Sequence, residues 1–176
     1  MRGVAARIDG LNEWVGRTVS WLALFIVIVQ FLVVVGRYVF GIGSIWVQEL
    51  IVYMFGFLFM LGAAYTLRHD GHVRVDILYR EARPQVKARV NLIGSLVFLI
   101  PICVLIFWVA FPYVLQSWLI LEGSQEASGI PARFLQKTAI LAFAVLMGLQ
   151  GVALAIRSIL VLRGDDEEIL ALTSNQ

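Results

Sequence analysis

IWVQELIVYMFGFLFMLGAAYTLRHDGHVRVD, residues 45–76, holds both kinds of sequence from which this chain is built. From Ile45 to Leu67 the only amide and carboxylate side chains are Gln48 and Glu49, both near the start. A bilayer core of about 30 Å takes roughly 20 mostly apolar residues wound as a helix, and this run is long enough. It then breaks into Arg68-His69-Asp70-Gly71-His72-Val73-Arg74-Val75-Asp76, a polar knot containing both histidines of the protein.

Three further apolar runs lie outward from it. Val19–Val35 is interrupted by Gln30, Val90–Leu121 contains Pro101 and Pro112, and Thr138–Leu162 contains Gln150 and Arg157. Backbone polar groups in lipid must be satisfied within the segment, so each run is read as a helix. The third is too long for a perpendicular crossing: Val90–Leu121 would extend roughly 48 Å. Tilt or proline kinks must absorb the excess. Composition agrees, at 60% hydrophobic and 15% charged residues with mean hydropathy +0.87; soluble domains carry about 25% charged residues. The chain reads as an all-α integral membrane protein with four transmembrane helices. It forms a single membrane domain over residues 1–176, with a loop at 68–89 and an acidic tail at 163–176. Membrane phospholipid is an expected partner, and a net charge of +2 does not argue for nucleic acid.

Basic residues set the expected orientation. Arg2, Arg7 and Arg17 precede the first run, Arg68, Arg74, Arg80, Arg83, Lys87 and Arg89 fill the middle loop, and Arg157 and Arg163 close the fourth run. The opposite side holds only Arg37, Arg133 and Lys137. The positive-inside rule places both termini and the middle loop in the cytoplasm. The first run begins only after Thr18 and no small-x-small site follows it, so an uncleaved anchor is expected. Before it, Val4, Ile8, Leu11, Trp14 and Val15 share a helical stripe, while Arg7, Asp9, Asn12, Glu13 and Arg17 largely face elsewhere. This fits either an amphipathic helix lying at the interface or an extension of the first span.

Ionisable groups within spans are costly and are functional candidates. Glu49 is the clearest, one turn into the second span, with Arg37 at the same level across a short Gly-punctuated turn. An Arg37–Glu49 pair or a contact with another subunit is the structural reading; a proton or cation relay is the functional one. A relay needs further acids across the membrane, and no other run has an Asp or Glu in its core. Gln30, Gln48, Gln116 and Gln150 can hydrogen-bond between helices, and Gly62, Ala63, Ala64, Gly148 and Gly151 permit close approach. In the knot, His69 and His72 with Asp70 and Asp76 lack a further ligand in fixed spacing, so no metal is assigned. Haem would need facing histidines within helices, and Cys103 stands alone. No cofactor is expected. No nucleophile–base set or phosphate loop occurs, so the chain is not read as an enzyme.

Trp46-Val47-Gln48-Glu49-Leu50 and Gly62-Ala63-Ala64, followed by Arg68 and His72-Val73-Arg74-Val75-Asp76, resemble the small permease (Q) subunit of tripartite ATP-independent periplasmic (TRAP) transporters. The family pattern is roughly Trp-x-Glu-Glu, an apolar run, Gly-Ala, then His-x-x-x-Asp. Gln48 stands where the family often has the first of two acids. The resemblance covers nearly the whole chain. It implies a non-catalytic subunit of the bacterial inner membrane that braces a large permease subunit. That large subunit holds the sodium and substrate sites, and a periplasmic binding protein delivers an organic acid such as a C4-dicarboxylate or a 2-oxo acid. Arg37, Trp46, Glu49, Arg68, His72, Arg74 and Asp76 are the expected structural or partner-docking residues. The competing reading is an autonomous dimeric transporter driven by Glu49.

Overall fold

The computed structural model describes residues 1–72, 82–126 and 128–174, with side chains as far as residue 170. Within these residues six α-helices follow in order: α1 Arg2–Phe40, α2 Ile45–Arg68, α3 Pro84–Ile93, α4 Ile100–Leu119, α5 Arg133–Leu162 and α6 Asp166–Ser174. A π-helical segment, Gly94–Leu99, joins α3 to α4 without a break. Among the described residues, four helical stretches are long and apolar enough to cross a membrane: α1, α2, α3 through α4, and α5. No strand occurs among the described residues. The all-α, four-span expectation therefore holds.

Helix ends follow local chemistry. α1 runs past Gly36 and stops at Gly41, whose φ of 67° is left-handed and costs glycine little. Pro84 opens α3 near its first position, where a missing N–H is harmless. Pro101 is less simple, because it removes a donor and its ring presses on the preceding turn. The chain widens directly upstream: the Ile100 N–H donates to Ser95 O, the five-residue spacing of a π turn. The third span thus begins at Pro84, six residues before the expected Val90, and carries its irregularity at Gly94–Leu99.

α5 is the hub. It packs against α1, α2, α3, α4 and α6, while α1 and α2 also pack on each other. Small residues make this possible, since Ala139, Ala144, Gly151, Ala153 and Ala155 are all buried. At Gly151 a Cβ would stand 2.9 Å from Leu99 Cδ2, so the π segment rests directly on the glycine. In lipid, where helix contact gains little from the hydrophobic effect, such close approach supplies the van der Waals attraction. The buried apolar core is correspondingly small, built on Ala64, Cys103 and Met147. Most large apolar side chains of α1 and α4 point outward, among them Trp21, Phe31, Trp108 and Val109.

The N-terminal segment is the first half of α1 and not a separate helix, so the extension is what forms. Its buried stripe is Ala5, Asp9, Asn12, Gly16 and Val19, whereas Val4, Leu11 and Trp14 point away from the bundle. The amphipathic pattern is real; Asp9 and Asn12 of its polar side face inward, while Arg7 and Arg17 stay exposed.

Candidate functional site

Two polar clusters mark the two ends of the bundle. The first gathers both termini and the start of the middle loop. The Asp9 carboxylate, 4% exposed, accepts from Gln150 Nε2 at 3.1 Å and from the Arg157 guanidinium. Arg68 Nε lies 4.0 Å from it. Asn12 Nδ2 donates to Gln150 Oε1 at 2.6 Å, completing a chain from α1 to α5. Arg68 also donates to the Asp9 carbonyl at 2.9 Å and to Glu13. His69 Nε2 reaches Glu13 Oε2 at 2.9 Å, and its ring packs against Tyr65, 4.4 Å between centroids. Tyr65 in turn lies on Gly16, in space a Cβ would occupy. Arg2 clasps Asp165 and Glu167, so N- and C-terminal segments meet at one end. The Arg2 hydrogen bond, with Coulombic attraction, lowers the Asp165 pKa below its ordinary value.

These positions have a sequence signature. Asp9, Asn12 and Gly16 recur at spacings of three and four, one face of a helix. Gln150 and Arg157 are two turns apart on one face of α5. Each was visible singly; that the two faces meet was not.

The second cluster surrounds Glu49, where the expected Arg37–Glu49 pair does not form. The Glu49 carboxylate accepts from Ser124 Oγ and from the Ile130 N–H at 2.6 Å, tying α2 to the segment between α4 and α5. Gln48 and Glu49 project about 100° apart around the helix. Arg37 instead lines a groove with Gln48. Nearby, Lys137 pairs with Glu122 and sits 3.9 Å over the Tyr113 ring. The Lys137 ammonium, through that hydrogen bond first, lowers the Glu122 pKa. Trp118 Nε1 donates to Thr138 Oγ1 at 2.9 Å, closing α4 on α5.

Of the other expected docking residues, Arg68 lies in the terminal cluster and Trp46 is 48% exposed at the start of α2. His72 is half-buried, and its Nδ1 is buried without a hydrogen-bond partner among the described residues. Arg74 and Asp76 lie outside the described residues. The arrangement is one of helix-to-helix staples. No group of three or more potential metal ligands occurs among the described residues.

Residues 11–161 match the family model described as tripartite ATP-independent periplasmic transporters, DctQ component. The chain belongs to this family. Searches of curated proteins and of solved structures return no match. As a DctQ component it is a transport subunit of the inner membrane, and the four crossing-length helices agree. Its partners are the other subunits of a TRAP system. The match takes in the Glu49 cluster and, of the terminal cluster, Asn12, Glu13, Gly16, Arg68, His69, Gln150 and Arg157, but not Asp9 or the clasp of Arg2 on Asp165 and Glu167.

Proposed function

We propose that this DctQ component braces the large permease subunit during sodium-driven uptake of an organic acid delivered by a periplasmic binding protein. It takes no part in ion or substrate chemistry. The observation that supports this is the state of Glu49. The one acid within the apolar core of a span is held by Ser124 and the Ile130 N–H of its own chain. A relay acid must be free to exchange protons or ions along a path of further polar groups; a carboxylate stapled to a loop acts as a tie. The distribution of Arg and Lys supports a cytoplasmic location for both termini and the middle loop.

Reconstitution tests this reading. The chain alone in liposomes is expected to show no uptake. The complex with its large subunit should transport when the binding protein is present, and Glu49→Gln in that complex should lower assembly or stability while transport per assembled complex is kept. Uptake by the isolated chain, abolished by Glu49→Gln, would instead establish the autonomous dimer. Cysteines placed at Gly71 should react with impermeant reagents only from the cytoplasmic side.

A further inference from the structure

The outer face of α1 and α2 carries polar side chains where lipid would be expected. Gln30, Arg37 and Gln48 line a groove of about 370 Å³ with Val33, Ile51 and Val52. Gln30 and Arg37 are exposed and Gln48 is half-buried. None of the three makes a side-chain hydrogen bond or ion pair to a described residue. Gln30 lies seven residues before Arg37 on α1, hence about 10 Å deeper along the helix axis. Polar side chains of spanning helices face a protein or water-filled interior far more often than acyl chains.

We propose that this groove seats a transmembrane helix of the large permease subunit, one that presents a carboxylate opposite Arg37 and an amide or hydroxyl group opposite Gln30. The assignment rests on the bracing role above and adds the face through which bracing acts. Three arguments select the occupant. A lipid phosphate could meet Arg37, but the acyl chains beneath it offer Gln30 nothing to bond. A second copy of this chain is a poor fit, because Glu49 and Glu122 at this end are committed to Ser124, Ile130 and Lys137 within their own chain, and Glu126 sits in the segment between α4 and α5, not on a spanning helix that could also reach Gln30. A foreign helix with a carboxylate near its end and a hydrogen-bonding group two turns deeper satisfies both Arg37 and Gln30.

The test uses the co-purified complex of this chain with its large subunit, with Cys103 replaced by alanine. A benzophenone photo-crosslinker is attached at Val34→Cys, in the groove, or at Val109→Cys, on the outer face of α4. The groove position is expected to give an adduct with the large subunit and the α4 position none. Separately, Arg37→Glu should lower co-purification at least about tenfold, as loss of a desolvated charge pair does, while Arg37→Lys retains it. An intact complex without a groove adduct overturns the proposal and leaves bracing standing. So does an adduct between two copies of this chain, or equal labelling from Val109→Cys. If the wild-type chains do not associate at all, the bracing role fails and this inference with it.

Discussion

Asp9→Asn is the sharpest perturbation of the terminal cluster. Asparagine keeps the shape and can still accept from Gln150, so the change isolates the charge. Arg157 then loses the carboxylate to which it is paired, while Arg68 keeps Glu13. Removing one partner of a buried ion pair costs about 3–5 kcal/mol. Arg157 is 34% exposed and Arg68 26%, so solvent screens part of that penalty, and an expected loss of about 2 kcal/mol remains. The assay is unfolding of the purified chain in mixed micelles by increasing SDS, followed by tryptophan fluorescence and far-UV circular dichroism. A double-mutant cycle with Arg157→Gln separates the pair from the sites. Removing both charges should recover part of the loss, with a coupling of about 1–2 kcal/mol. Coupling below about 0.5 kcal/mol, or wild-type stability for Asp9→Asn, would refute the view that this cluster fastens α1 to α5.

Three other outcomes follow from the same contacts. Glu49→Ala leaves the Ile130 N–H and Ser124 Oγ without their acceptor and should destabilise the chain by about 1–3 kcal/mol, measured in the same unfolding assay; Glu49→Gln, which keeps one acceptor oxygen, should cost less. Gly16→Val places a branched side chain in space held by the Tyr65 ring and should cost about 1–3 kcal/mol, with Tyr65→Ala relieving the clash and recovering part of it. The Asp165 pKa is depressed by Arg2, so the stabilisation is present above the ordinary aspartate value of 3.8 and is lost as pH falls through the lower folded value. Spin labels at Gly3→Cys and Leu170→Cys should therefore show a fixed distance at neutral pH that broadens only below pH 3.8, and Asp165→Asn should broaden it already at neutral pH.

Much of the molecule is legible without coordinates because hydropathy is a local sum. Each run of apolar residues announces a helix whatever its neighbours are, and the second and fourth runs lie within α2 and α5. The ends are less legible where the helix outruns the apolar stretch. α1 begins at Arg2 and the third span at Pro84, since helical backbone continues into polar sequence when a neighbouring helix supports it. The Trp46–Glu49 and Gly62–Asp76 blocks likewise reveal the family, because they are contiguous wording.

Pairing is a different kind of information. Whether Glu49 meets Arg37 or the segment before α5 depends on how α2 is rotated about its axis, and no single segment specifies that. The stripe Asp9, Asn12, Gly16 shows that α1 is amphipathic, but only the packing on α2 and α5 shows that its polar side is the inner one. In water an apolar stripe turns inward. In and near a bilayer the surroundings accept apolar side chains, so hydrogen bonds and close approach decide what is buried. The sequence by itself determined four spans, their order and the family. The tertiary structure decided which polar groups meet, because that depends on helix rotations set by contacts distant in the chain.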